Sequence, residues 1–398
     1  MSRLWLNQVE IRNYKNIATA TVQLQPLTVL VGPNGAGKSN FVDALSFVAD
    51  SLNRTIQTAF YKRGGLSAIR RRAGRGVKVS PLALSLKIDL SEGIQAEYAL
   101  EISVSGNTFE VARERCSVIR DDEILHEFEV QKGFFTREVP GIRPRIEPDR
   151  LALTVVSAVK EFRPVYDLLS RIRHYNPQPE QLYGQSSDLT DGDVLLPDLS
   201  NAASVLRRIR EQEGNGNVYE RICRLLGRIV PGIASVQPKL SGRQELLEFI
   251  QEVGAEQKLH FEARNMSDGT LRVLGVLLAI YQPNAASLIA LEEPESTIHP
   301  AATEVLMDAL IDGTARSQIV LTTHSPDILD NKKLKDNQIL IVESVQGAAQ
   351  ITPLAELTRD IIRERLYTPG ELLRQDELQP DRSFSNRAIR RMGRRMSL

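Results

Sequence analysis

The run Gly32-Pro33-Asn34-Gly35-Ala36-Gly37-Lys38-Ser39 stands between an apolar stretch, Leu27 to Val31, and a stretch of helical character from Lys38 to about Leu52. It satisfies the pattern G-x-x-x-x-G-K-[ST] at every fixed position. The apolar stretch reads as a strand buried on both faces. Glycines let the backbone turn so tightly that successive N–H groups converge, and a helix start adds partial positive charge. A strand–loop–helix unit of this kind cradles phosphate within an α/β fold. Lys38 is expected to reach β- and γ-phosphates and the Ser39 hydroxyl to ligate Mg²⁺. Alone, the loop suits a kinase, a GTPase or a helicase equally.

Three later segments narrow the choice. Ser287 to Leu291 is an apolar strand pattern running into Glu292-Glu293-Pro294-Glu295. A strand delivers such carboxylates to the carboxyl edge of a sheet, where ligands of α/β folds bind. Glu292 is assigned to the metal, and Glu293 to the attacking water as orienting group or base. Glu295 equally fits the acidic start of a helix expected over Ile298 to Ile311. Thr322-Thr323-His324-Ser325-Pro326 closes the next apolar strand, and His324 at that edge can contact a γ-phosphate or hold the Glu293 water. Asn265-Met266-Ser267-Asp268-Gly269-Thr270 opens an apolar helix, with Ser267 as N-cap and Gly269 allowing close backbone approach. By itself this is a capped helix. Beside a P-loop it can also present a helix start to a γ-phosphate held by another subunit.

The remaining chain reads as follows. Leu4 to Ile11 and Ala18 to Leu24 alternate as two strands joined at Arg12-Asn13-Tyr14-Lys15-Asn16. Residues 79 to 135 alternate repeatedly, with a hairpin turn at Ser105-Gly106-Asn107, and predict an antiparallel β subdomain. From about Val155 to Gly232 the period is helical, through Phe162, Val165, Leu168, Leu169 and Ile172 and later through Ile222, Leu225, Leu226 and Ile229. Asn176 to Asp198 is read as an exposed loop. The expected division is 1–154 for a first lobe, 155–234 for a helical insertion, 235–365 for a second lobe and 366–398 for a tail with an arginine-rich end. That tail reads as an arm, for which nucleic-acid or partner binding is the other reading. Lys62, Arg63, Arg70, Arg71, Arg72, Arg75 and Lys78 form a basic cluster after the P-loop helix. A solvated loop, a DNA-phosphate surface and an arginine reaching nucleotide across a dimer remain open for it.

The 398 residues carry 50 basic and 50 acidic side chains, so a globally basic DNA-coating protein is not expected. Aromatics make up 5%, which does not suggest base-stacking platforms. Cys116 and Cys223 are far apart and fit two inert thiols of a reducing compartment. The longest apolar run, Val273 to Ile280, is too short to span a bilayer, and a cytoplasmic chain without a membrane domain is expected.

The order of P-loop, Ser-x-Gly helix start, acidic strand end and histidine-ended strand resembles ABC ATPases, and its details resemble the RecF/SMC/OLD branch and the stand-alone bacterial AAA-type ATPases. Asn13-Tyr14-Lys15-Asn16-Ile17 is similar to that branch's N-terminal turn. Gly32 to Asn40 is similar to its P-loop, Ser267-Asp268-Gly269-Thr270 to its signature, and Glu293-Pro294-Glu295 with His299-Pro300 to its Walker B extension. The resemblance covers roughly residues 1 to 365. It implies an α/β P-loop NTPase, an ABC-type head with an antiparallel β subdomain and a helical lobe. It implies ATP and Mg²⁺ as cofactors, with nucleotide contacts at Gly32, Asn34, Gly35, Ala36, Gly37, Lys38, Ser39, Asn40, Ser267 and Gly269. Ser39 and Glu292 are implied for the metal, and Glu293, His324 and Lys38 for catalysis. It further implies a homodimer formed on ATP binding and opened by hydrolysis. The sequence departs from the branch in Glu292, where the metal ligand is usually Asp, in the lack of an evident Q-loop glutamine (Gln131 is a weak candidate), and in the absence of long coiled-coil arms.

These features point to an ATP-driven switch in DNA maintenance or anti-phage defence, acting with a separate nuclease or effector and with double-stranded DNA as a candidate partner. The alternative is the nucleotide-binding subunit of a membrane transporter, which would carry an L-S-G-G-Q signature rather than Met266-Ser267-Asp268-Gly269-Thr270. The stretch after His324 is short for the metal-binding TOPRIM domain of OLD nucleases. A small-molecule kinase has no need of both the Ser267 helix and His324.

Overall fold

A computed structural model describes residues 4–71, 80–91, 93–105, 108–137, 145–182, 192–212, 216–242, 244–253 and 257–383. Two compact units make up the chain: residues 1–172, 336–360 and 379–398 form the first, and 173–335 with 361–378 the second.

The first unit holds an antiparallel sheet of seven strands. In spatial order they are Ile17–Gln23, Trp5–Tyr14, Leu82–Ser91, Ile94–Ser105, Thr108–Arg120, Glu123–Gln131 and Phe134–Arg137. Strict alternation along Leu82–Ser91 puts Leu82, Leu84, Leu86, Ile88 and Leu90 on the buried face. Ser105 pairs with Thr108, which closes the expected hairpin; Gly106 and Asn107 lie outside the described residues. The same unit carries a second layer of three strands. Leu27–Val31, buried at all five positions, runs parallel to Ile339–Val345, which pairs antiparallel with Ala348–Pro353. The P-loop helix, Lys38–Asn53, is tied in by rings: Tyr14 lies 6.0 Å from Phe47, Phe47 5.2 Å from Phe60, and Phe60 5.0 Å from Phe109.

A buried carboxyl anchors the far end of this sheet. Glu114 accepts hydrogen bonds from the backbone N–H groups of Ala152 and Leu153 and from the Tyr98 hydroxyl. Complete burial outweighs those three donors and pushes its pKa up to about 7. Both cysteines are buried free thiols, and burial raises each above its ordinary value.

In the second unit, Leu288–Glu292 and Gln318–Thr323 pair in parallel, with Glu292 opposite Thr322, and the helix Pro300–Gly313 connects them. The helix Asp268–Tyr281 is buried at every position from Val273 to Tyr281, and so forms the unit's centre. Around it lie the helices Ala202–Glu211 and Gly216–Ile229 and the antiparallel strands Ile233–Ser241, Gln244–Val253 and Gln257–Glu262. Gln282, fully buried, accepts from the N–H of Leu195 and donates to the Tyr175 hydroxyl and the Ala279 carbonyl. Each of its polar atoms is thereby partnered, as burial demands.

Two expectations are corrected here. The helical period does not continue through Ile172: the helix ends at Ser170, and Ile172–Tyr175 is a strand. Ile172 falls four residues after Leu168, so helical spacing hid a strand too short to show its own period. Within Asn176 to Asp198, the described flanks are exposed only in part: Asn176, Gln178, Glu180, Leu196 and Asp198 are exposed, whereas Pro177, Leu182 and Leu195 are buried; residues 183–191 lie outside the described residues.

Candidate nucleotide site

The P-loop belongs to the first unit. Gly37 is the N-cap of the P-loop helix at φ 119°, a conformation L side chains rarely adopt. A Cβ there would stand 2.5 Å from Ala349 Cβ and 2.9 Å from Asn16 Oδ1, so the position excludes any side chain. Asn16 acts as a brace. Its amide donates to the Ala36 carbonyl at 3.3 Å and accepts from Asn40 Nδ2 at 2.7 Å, while its own carbonyl accepts from Ala349 N–H at 3.0 Å. Asn34, Gly35 and Ser39 are exposed, whereas Ala36 and Lys38 are buried. Lys38 Nζ donates to the carbonyls of Gly32 at 2.6 Å and Pro33 at 3.1 Å. The ammonium group thus rests on carbonyls of its own loop.

One turn along the helix, Asp43 collects a cluster of partners. Tyr14 donates to it at 2.7 Å, Arg63 Nε at 2.7 Å, and Lys15 Nζ lies at 2.6 Å. Burial opposes the Asp43 charge, but Arg63, Lys15 and Tyr14 outweigh it and hold the carboxyl below its ordinary value. Arg63 also pairs with Asp50 at 2.8 Å, and Lys62 meets Asp50 at 3.1 Å. This corrects the basic cluster after the P-loop helix: its first two members are engaged, and the Arg63 side chain is only 6% exposed. Arg70 and Arg71 are half-buried; Arg72, Arg75 and Lys78 lie outside the described residues. Gln131 ends a strand of the antiparallel sheet, where its amide donates to Glu129 at 2.6 Å.

The acidic strand end belongs to the second unit. Glu293 follows the strand at φ 42°, an uncommon conformation for a residue with a side chain. Its N–H donates to the Thr322 carbonyl at 3.0 Å, which ties the turn to the neighbouring strand. Glu293 Oε1 lies 3.2 Å from His324 Nδ1, and its other oxygen accepts from Ser296 Oγ at 3.3 Å. Both partners stay partly exposed. Glu292, the last strand residue, has Oε1 2.9 Å from His174 Nε2, an imidazole that sequence reading left out. The one available signal was a histidine between Arg173 and Tyr175 in a stretch read as helix.

Glu295 does not start a helix. It lies in the loop before Pro300, buried, with the Thr323 hydroxyl donating to one carboxylate oxygen and the other oxygen unpartnered. Burial raises its pKa despite Thr323. Ser267 caps Asp268–Tyr281 as expected, its oxygen accepting from Thr270 N–H at 3.3 Å. A Cβ on Gly269 would meet the Thr297 carbonyl at 2.6 Å, so the glycine admits the loop that follows the acidic strand.

Among the described residues no three His, Cys, Asp or Glu side chains gather into a metal cluster. Magnesium fits such a donor set, because it takes one or two protein oxygens and fills its octahedron with substrate phosphates and water. Ser39 and Glu292 are suitable hard oxygen donors. No helix among the described residues is long and apolar enough to cross a membrane.

Two family models match. Residues 5–139 match "AAA ATPase domain" and residues 187–330 match "AAA domain, putative AbiEii toxin, Type IV TA system". The DNA replication and repair protein RecF of Streptococcus uberis is 30% identical over 94 residues, 22% of this chain and 24% of that protein. The retinal-specific phospholipid-transporting ATPase ABCA4 of Bos taurus is 25% identical over 272 residues, 61% of this chain and 11% of that protein. The chain thus spans a quarter or less of these relatives' lengths. A solved Smc head domain with an extended coiled coil, bound to the C-terminal domain of ScpA and derived from Pyrococcus furiosus, shares the fold with a TM-score of 0.53. It is 12% identical, and the match covers 91% of this chain and 99% of that one. In fold the chain is like a solved Smc head, and in the order of its motifs it is similar to RecF/SMC-like ATPases of the ABC class.

Proposed function

We propose that the chain binds Mg²⁺·ATP and hydrolyses it to ADP and phosphate. The observation that carries this reading is the Glu293–His324 pair, 3.2 Å apart at the ends of two parallel strands. In this reading the P-loop and Lys38 hold the β- and γ-phosphates, and Ser39 and Glu292 are the protein ligands of magnesium, which supplies neutralisation of phosphate charge when bound. Glu293 orients the water and takes its proton as the new P–O bond forms and the bond to the leaving β-phosphate oxygen breaks. His324 holds Glu293 through Nδ1, leaving its other nitrogen for the γ-phosphate or the water. Ser267 and Gly269 cap the nucleotide of a second copy, so that ATP closes a homodimer and hydrolysis opens it.

The RecF relative and the toxin-related family model support a cytoplasmic switch in DNA maintenance or anti-phage defence, with a separate nuclease or effector. The similarity to a phospholipid-transporting ATPase supports a second reading, the nucleotide-binding subunit of a transporter. Solution mass and phosphate release, measured on wild type and Glu293→Gln with Mg²⁺·ATP, test the mechanism. Trapping of the variant as an ATP-bound dimer is expected; normal turnover without association rejects it. Stimulation by double-stranded DNA favours the first biological reading, and stimulation only by a membrane partner the second.

A further inference from the structure

We infer that Glu295 is a positioning residue for the Glu293–His324 pair, latching the turn that carries Glu293 to the strand end that carries His324. The inference rests on the catalytic reading of that pair proposed above. The latch is a chain of two hydrogen bonds. The Thr323 hydroxyl donates to Glu295 Oε1 and accepts from the Ser325 N–H at 2.9 Å. His324 lies between Thr323 and Ser325, so the hydroxyl that Glu295 orients closes the backbone on either side of the imidazole. A second tie joins the same two segments, the Glu293 N–H donating to the Thr322 carbonyl at 3.0 Å.

Burial gives the latch its hold. Thr323 is fully buried and Glu295 is 7% exposed. A hydroxyl has one proton to give, and loss of Glu295 takes away its acceptor in a place closed to water. The backbone of Glu295 is anchored in turn, its carbonyl accepting from the Ile298 N–H at 3.0 Å. The other Glu295 oxygen makes no hydrogen bond to another residue, so Thr323 is the side-chain partner of this carboxyl. Glu293 stands at φ 42°, a conformation that persists where its surroundings over-determine it. The ties to Thr322 and Thr323 supply that determination. The 3.2 Å between Glu293 Oε1 and His324 Nδ1 depends on where the two latched segments stand.

Steady-state phosphate release and binding of a non-hydrolysable ATP analogue, measured on the full chain with Mg²⁺, test the assignment. Glu295→Ala and Thr323→Val are each expected to lower kcat by about tenfold or more, since a misplacement of about 1 Å can cost roughly a hundredfold. The KM for ATP and the analogue affinity stay within about twofold of wild type, the mark of an interaction that serves the transition state. Glu295→Gln keeps the acceptor and Thr323→Ser the donor, and both recover most of the loss. The double variant Glu295→Ala/Thr323→Val is no slower than the slower single one, because both break one latch. Where alanine at 295 prevents folding, Thr323→Val, close to threonine in shape, carries the same test. A kcat of Thr323→Val within about twofold of wild type overturns the inference, as do losses that multiply in the double variant, a glutamine variant as slow as the alanine one, or affinity that falls as far as kcat. Glu293→Gln separates the two levels. If it is slow while Glu295→Ala and Thr323→Val turn over normally, only the role of Glu295 fails; if it turns over normally, the catalytic reading fails and takes the inference with it.

Discussion

The P-loop and the acidic strand end are held by different kinds of contact. Around the P-loop, support comes from backbone and amide groups: Asn16 bridges the Ala36 carbonyl, Asn40 and Ala349, and Gly37 leaves no room for a Cβ. Beyond Leu288–Glu292, support comes from ionisable pairs, Glu292 with His174 and Glu293 with His324. A cradle for phosphate needs shape, which backbone geometry supplies. A group that takes a proton or grips a cation needs an adjustable charge, and that requires side chains. Substitutions should therefore divide cleanly, those in the acidic half acting on turnover and those around the P-loop acting on binding and stability.

The sharpest division is expected from Glu293→Gln. Removal of a general base lowers kcat by about 10²–10⁴-fold, while ATP affinity, carried by the other half, stays near wild type. Single-turnover phosphate release and equilibrium nucleotide binding measure the two sides. If affinity falls as steeply as kcat, the halves are not separable in this way.

Next in size is Asp43→Ala, which leaves the Arg63 guanidinium in its buried place with Asp50 as its remaining carboxylate. Loss of one partner of a buried pair costs about 3–5 kcal/mol. Urea unfolding should show it, together with weakened ATP binding, because Asp43 lies on the P-loop helix. An effect on turnover at saturating ATP without loss of stability would contradict the comparison.

Glu114 gives a pH signature that belongs to the first unit. Burial raises its pKa from 4.5 to about 7, so between those values the native state binds more protons than the unfolded state. Stability is therefore fully present below the unfolded value and falls as pH rises through this window. The loss is roughly 3 kcal/mol, since each tenfold difference in proton affinity between the two states is worth about 1.4 kcal/mol. Melting temperature against pH checks it, and Glu114→Gln should flatten that part of the profile.

The smallest effect is expected from Asn16→Ala. Loss of the brace costs about 1–2 kcal/mol, the net worth of one or two hydrogen bonds, and should appear as a severalfold rise in the Kd for ATP with kcat held. A fall in kcat instead would join the two halves that the comparison separates.

Much of this was legible in the sequence because it depends on neighbours along the chain. The P-loop, the Ser267 cap and the strand that ends at Glu292 each declare themselves within a few residues. The same locality explains the failures. Arg63 looks like a member of a basic surface until Asp43, twenty residues earlier in sequence, takes it out of solvent. Glu295 looks like a helix start until Thr323 binds it in a buried loop. His174 was hidden because a four-residue strand has no period of its own and its first apolar residue extended the helical one.

By itself, then, the sequence determined the class of fold, the phosphate cradle and the identity of the two consecutive acids, because hydrophobic period, glycine and capping residues act over a turn or a strand. Only the tertiary structure decided which imidazole lies beside which acid, which cations are buried in ion pairs and what braces the P-loop. Those contacts join residues distant in sequence, such as Asp43 with Arg63, His174 with Glu292 and Asn16 with Ala349, and the chain must pack before a residue acquires such a partner.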